Sequence, residues 1–224
     1  AMASRVKDSR KLIRVAPGID TDHFSPSDAT NLRTRYGVDS RPTIISVGRL
    51  VHRKGQDRLI EALPKVLESI PDAALVFVGE GPYRQHLNYL VEKYNLSNHV
   101  FFIGRIHFAE LPNYICMGDV FAMPSRSRLM GLEVEGLGIV YLEASSCGLP
   151  VIGGASGGAP DAVLDGETGF VVDGNDLTGI STQIIRLLSD ANLRKRMGER
   201  GRDWAIESWR WEIWSKEFNK ALDI

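Results

Sequence analysis

The sequence predicts one doubly wound α/β domain, a parallel sheet with helices packed on both faces. Three observations predict it. Short, near-continuous apolar runs recur along the 224 residues, and strands of that kind need cover on both sides. Helical patterns fall between those runs. Turn-forming residues punctuate them: Gly48, Gly79, Gly104 and Gly153 close strands, while Pro42, Pro71 and Pro150 stand at element edges.

Taken in order, the run Leu12-Ile13-Arg14-Val15-Ala16 gives a first strand over 12–16, ahead of the turn at Pro17-Gly18. Thr43-Ile44-Ile45-Ser46-Val47 is β-branched and stops at Gly48, and a helix over 56–69 follows Gly55. Strands over 74–78 and 100–103 enclose a helix over 83–94; a helix over 109–117 leads to a strand over 120–123. A helix over 139–147 precedes a strand over 151–153, and the last strand covers 169–172. Beyond Asp173 the pattern is helical, with starts near Asn175, Asp190 and Ser208. Ligands of such a sheet lie at the carboxyl ends of its strands.

Composition narrows the function. With 27 basic and 28 acidic side chains the formal charge is −1, which excludes a general nucleic-acid binder and requires any phosphate recognition to be local. No stretch approaches the roughly 18 consecutive apolar residues of a membrane span. No charged-then-apolar leader opens the chain. Cys116 and Cys147 lack CxxC spacing and suit buried thiols in a reducing compartment, so the expected location is cytoplasmic. Ala1-Met2-Ala3 reads as an expression scar, and Arg5, Lys7, Arg10, Lys11 and Arg14 as a solvated lead-in, with a lipid-headgroup patch as the other reading. Residues 1–11 are therefore set apart as scar and linker, and residues 12–224 as the domain. Near the end, Trp211, Trp214 and Phe218 share one helical face, a docking stripe.

Several short patterns fail on context. Gly154-Ala155-Ser156-Gly157-Gly158 has the form of a nucleophile elbow, but all five histidines precede Ser156, against the chain order that a hydrolase triad of this fold needs. Asp20-Thr21-Asp22 follows Pro17-Gly18 and precedes Pro26, so an Asx turn accounts for it better than a metal site. Gly79-Glu80-Gly81 starts a dinucleotide fingerprint, yet Arg84 fills the third glycine position. No metal site is expected.

Three strand ends carry chemistry. After Gly48 come Arg49 and Lys54, just before a helix start, where uncapped amides and two cations can seat a diphosphate. Read alone, that segment is better accounted for as a solvated basic turn. Glu135 lies in a glycine-rich loop and Glu143 eight residues on, within the helix. Glu135 can accept from sugar hydroxyls, and the amides of Gly138, Ile139 and Val140 can meet phosphate oxygens. Glu143 stands among apolar neighbours and needs a partner; a ribose diol or a salt bridge would supply one. The third end, Gly104-Arg105-Ile106, can present backbone to a nucleobase, or Arg105 can be a surface charge.

Together these residues resemble the donor-binding half of a retaining GT-B glycosyltransferase of family 4. The resemblance rests on Glu135 and Glu143 with seven residues between them, Gly48-Arg49-Leu50 with Lys54-Gly55, and Cys147-Gly148-Leu149-Pro150-Val151-Ile152. It extends through Gly157-Gly158-Ala159-Pro160 and Gly166-Glu167-Thr168-Gly169-Phe170. Within the family, Met123-Pro124-Ser125-Arg126-Ser127-Arg128 and Leu132–Val140 look like the actinobacterial phosphatidylinositol mannosyltransferases that use GDP-mannose; Glu133 departs from that pattern, where Asp is expected.

The resemblance implies that Arg49 and Lys54 hold the diphosphate and neutralise the departing GDP in place of a metal. It implies that Glu135 binds mannose and Glu143 the ribose. Gly48, Gly138, Ile139 and Val140 would line the phosphates or sugar, with Arg105 and Ile106 beside guanine. Transfer would retain configuration, the leaving phosphate taking the acceptor proton. The acceptor, a phosphatidylinositol lipid at the inner face of the plasma membrane, would meet an amino-terminal half that the 224 residues do not contain. A donor other than GDP-mannose, such as UDP-glucose, and a non-catalytic sugar-nucleotide sensor are the alternatives.

Overall fold

The structure, a computed structural model, describes Ile13 and residues 15–222. The expected scar and basic lead-in lie outside those residues. Six parallel strands form one sheet: β1 Thr43–Val47, β2 Ala74–Val78, β3 Val100–Gly104, β4 Val120–Met123, β5 Val151–Gly154 and β6 Gly169–Val172. Their order is β3-β2-β1-β4-β5-β6, so the chain winds outward in one direction to β3, then returns to the middle and winds out the other way. The reversal falls between β1 and β4, which pair through Ile44 with Val120 and Ile45 with Phe121.

The helices are α1 Thr30–Arg35, α2 Gln56–Ser69, α3 Arg84–Lys93, α4 Leu111–Ile115, α5 Ile139–Ser146, α6 Leu177–Ser189, α7 Ala191–Ser208 and α8 Trp211–Leu222. Successive strand residues face opposite sides of the sheet, which splits the core into two layers. Ile45, Val47, Phe121, Met123 and Tyr141 pack in one layer with Trp204 of α7. Ile44, Phe77, Leu59 and Leu63 pack in the other with Ile180 and Ile184 of α6. Near-continuous apolar strands thus have the two-sided cover that they require.

Two elements differ from expectation. Leu12 and Arg14 lie outside the described residues, and residues 15–18 form no strand. Pro17 has no amide to donate; the segment instead ties Ile19 to the carboxyl-terminal region, with its amide donating to the Trp209 carbonyl at 2.7 Å. The helix expected over 109–117 splits into a 3-10 turn, Phe108–Glu110, and the short α4, because Pro112 near its start cannot continue a helix arriving from residue 108. Helix α1 adds one turn that the apolar pattern does not mark. Among the described residues no helix is long and apolar enough to cross a membrane. Cys147 is buried as expected, whereas Cys116 is only half-buried; both thiols are free. Trp211 is half-exposed and Trp214 lies against the Trp209 ring at 5.6 Å, so the aromatic face of α8 is partly covered by its own chain.

Candidate functional site

The two central strands deliver two helix starts to the same sheet edge. After β1, Gly48 adopts φ +147° and Arg49 stands exposed, making no ion pair among the described residues. Buried Leu50 anchors the loop, its amide donating to the Glu80 carbonyl at 3.0 Å. A 3-10 turn over His52–Lys54 ends at left-handed Gly55, and α2 begins with no side-chain cap. After β4, left-handed Gly138 starts α5, again without a side-chain cap and, unlike α2 with Asp57, without an acid in the first turn. In α5 the Tyr141 amide donates to the Gly138 carbonyl at 2.9 Å, while the amides at the very start of each helix have no partner within it and carry the positive end of its dipole.

Lys54 and Glu135 meet between these starts. Lys54 Nζ lies 2.9 Å from Glu135 Oε2, and Arg53 Nε is 4.0 Å from the same oxygen. Both partners are largely buried, with side chains 12% and 7% exposed, and Glu135 Oε2 makes no hydrogen bond despite the close ion pair. The pair joins the expected phosphate cation to the expected sugar carboxylate. Burial pushes the Glu143 carboxyl up to about 7, partly countered by the charge of Lys54. Lys54 thus pairs with Glu135, and its charge also reaches Glu143.

The glycine-rich 154–158 segment is not an elbow; it is the wall that fixes Glu135. The Ser156 hydroxyl accepts from the Glu135 amide at 3.2 Å and shares a bond with the Ser127 hydroxyl at 3.1 Å. A Cβ on Gly157 would lie 1.9 Å from the Glu135 carbonyl oxygen, so only glycine lets the two backbones touch. Asp20 forms an Asx turn, accepting from the amides of Asp22 and His23 at 3.1 and 2.9 Å. No group of His, Cys, Asp and Glu able to hold a metal occurs among the described residues. Glu133 pairs with Arg128 at 2.9 Å, a local tie across a bridge between those two residues.

Arg105 and Ile106 sit apart from this cluster. They follow β3 and line an open cleft of about 780 Å³ with Arg35, Tyr36, Ile103 and His107, none of which belongs to the Lys54 group. With neighbouring strands about 4.8 Å apart, the β3 loop lies about 10 Å from the β1 loop along one sheet edge. That is the scale of a nucleoside diphosphate.

The residue patterns above assign no role to Arg126 and Asp57. Arg126, just past β4, donates to both Asp57 carboxylate oxygens at 2.9 and 2.6 Å, and both residues are buried. Its backbone amide also donates to the Arg53 carbonyl at 2.8 Å, tying the β1 and β4 loops together. The available signal was Arg126 beside Pro124, at the end of an apolar strand where an arginine needs a partner.

A parallel sheet whose order reverses beside two uncapped helix starts is a Rossmann-like nucleotide-binding half. Solved glycosyltransferases share it. The structure superposes with a TM-score of 0.73 on the carboxyl-terminal domain of a group 1 glycosyl transferase, LpcC, from Francisella tularensis, at 26% identity, over 86% of this chain and 99% of that one. Sucrose-phosphate synthase from Thermosynechococcus elongatus gives 0.81 at 28% identity, over 93% of this chain and 51% of that one. Residues 28–204 match the family model described as Glycosyl transferases group 1, and the chain belongs to that family.

Among curated relatives, the GDP-mannose-dependent alpha-(1-6)-phosphatidylinositol monomannoside mannosyltransferase of Mycolicibacterium smegmatis is 50% identical over 93% of this chain and 55% of its own length. The protein of that name from Mycobacterium tuberculosis is 45% identical over 94% and 55%. The chain thus spans about half the length of the curated relatives that it matches.

Proposed function

We propose that this chain is the donor-binding half of a retaining mannosyltransferase that takes GDP-mannose and glycosylates a phosphatidylinositol mannoside lipid. The observation that carries the reading is the Lys54–Glu135 pair at 2.9 Å, placed between two uncapped helix starts, with Glu143 raised to about 7 beside it. Names and identity of the actinobacterial relatives support the mannosyl donor and the lipid acceptor. Coverage of about half their length, against 99% of a stand-alone carboxyl-terminal domain, supports the role of one half of a longer enzyme.

In this reading Arg49, Lys54 and the amides of Ile139 and Val140 bind the diphosphate, and Gly48 and Gly138 keep the backbone clear beside it. Glu135 accepts from mannose hydroxyls and orients the anomeric carbon; Glu143 accepts from the ribose. Arg105 and Ile106 flank guanine. The bond between the anomeric carbon and the phosphate oxygen breaks, a bond to the acceptor hydroxyl forms on the same face, and the acceptor proton passes to the departing phosphate. Arg49 and Lys54 neutralise the charge that gathers on GDP, the electrostatic task that a divalent metal performs in other transferases. The acceptor meets the other half of the enzyme, at the cytoplasmic face of the membrane.

Calorimetric titration with GDP-mannose, GDP, UDP-glucose and UDP, in buffer without divalent metal, tests the donor. GDP-mannose and GDP are expected to bind and the uridine compounds to bind weakly. Binding of UDP-glucose with none of GDP-mannose would remove the mannosyl assignment.

A further inference from the structure

Asp57 places a negative charge where a diphosphate site needs a positive one. It lies in the first turn of α2, two residues after Gly55 and three after Lys54 in the chain. An anion there repels a phosphate and opposes the helix dipole's attraction for it. Arg126 engages both of its oxygens, and the two side chains are 3% and 5% exposed. Arg126 also reaches His52 Nε2 at 2.8 Å.

The other groups facing Asp57 do not neutralise it. Burial, reinforced by the Arg126 charge, holds His52 below its usual range, so it is uncharged at neutral pH. Tyr83 donates to Asp57 at 3.2 Å and is pushed up to about 12, chiefly by burial, so it stays neutral. Arg58 is engaged with Glu61 at 2.7 Å. Burial pushes Asp57 upward, yet the hydrogen bonds and charge of Arg126 outweigh it and keep the carboxyl ionised.

We propose that Arg126 is a positioning residue for the donor diphosphate: its guanidinium cancels the Asp57 charge, leaving the amino-terminal end of α2 positive toward the ligand. This rests on the donor-binding reading above. A plain brace between the β1 and β4 loops would use the same contacts, but it predicts a different pattern of losses.

The test is GDP-mannose binding by calorimetry, with folding followed by circular dichroism. Arg126→Gln is expected to weaken binding on the order of tenfold, the scale of one unit charge acting through partly buried protein. Asp57→Asn should not weaken it. The double variant should recover most of the Arg126→Gln loss, because the repelling charge is gone. In Arg126→Gln the unpaired, buried Asp57 takes up a proton more readily, so acidification from pH 8 to 6 should tighten donor binding relative to wild type; Arg126→Lys should restore part of the affinity.

Equal losses from both single variants, with no recovery in the double, would overturn the proposal in favour of a brace. If Arg126→Gln fails to fold, the other two variants decide: Asp57→Asn must bind at least as well as the wild type and the double variant must come close to it, and a loss of about tenfold in either overturns the proposal. Lys54→Ala separates the two levels. If it leaves GDP-mannose affinity unchanged, the diphosphate reading itself fails. If it weakens binding while Arg126→Gln does not, the neutralisation alone fails.

Discussion

A carboxyl group kept out of water is a titration waiting to be observed, and Glu143 is that group here. Its ordinary value of 4.5 rises to about 7 in the fold, because burial disfavours the charged form. Between those values the folded chain binds more protons than the unfolded one. The stability that Glu143 contributes is therefore fully present below pH 4.5 and is lost as pH rises through 7. Glu143→Gln should raise the melting temperature at pH 8 by an amount equivalent to about 1–3 kcal/mol and flatten its decline from pH 5 to 8. Thermal denaturation at pH 5, 6.5 and 8 checks this; an unchanged slope would refute it. If Glu143 accepts from the ribose as proposed, those hydroxyls favour its ionised form, so donor binding should expel a proton near pH 6.5. Calorimetry in two buffers of different ionisation enthalpy reads that release, and Glu143→Gln should abolish it. In the sequence Glu135 stands out by its glycine-rich loop, Glu143 by its apolar neighbours, and the spacing of the two by the family resemblance. The Lys54–Glu135 pair was not readable, because the partners lie far apart in sequence and meet only where β1 and β4 lie side by side.

At the scale of elements, the site depends on two helices that start without caps, each from a glycine. Gly55 adopts φ +76°, and a Cβ there would stand 2.1 Å from the Pro124 carbonyl oxygen, which is backbone and has little room to yield. Gly138 adopts φ +72°, and a Cβ there would lie 2.3 Å from the buried Tyr141 ring. Gly55→Ala should cost at least about 1–3 kcal/mol of stability, the scale of a forced left-handed residue with an added collision. Donor affinity should fall with it, since the loop bearing Lys54 must move. Denaturant unfolding with parallel donor titration checks this; an alanine variant with wild-type stability would contradict the close packing of the β1 and β4 loops. The positions of β1 to β5 were legible because each of those apolar runs ends at a glycine or proline, yet the run over 12–16 before Pro17 carries the same signal and residues 15–18 form no strand. Helix α1 and the break at Phe108–Glu110 were less so, since a single turn carries little periodicity and Pro112 both starts α4 and stops what precedes it.

At the scale of the molecule, one sheet edge carries the proposed donor site and the chain spans about half the length of its curated relatives. These 224 residues should therefore bind GDP-mannose yet transfer no mannose to phosphatidylinositol monomannoside vesicles. Radiolabelled GDP-mannose followed into lipid extract, with calorimetry on the same sample, checks both parts; robust transfer by this chain alone would overturn the division of labour. The sequence by itself determined the fold class, the strand ends and the types of residue at them, because apolar periodicity and turn chemistry act locally. Tertiary structure alone decided which charges face one another. Lys54 pairs with Glu135, Arg126 with Asp57, and Ser156 serves the Glu135 loop instead of a triad. The first two pairings depend on the reversal of strand order between β1 and β4, which brings segments about 70–80 residues apart into contact, a separation over which no local pattern carries information.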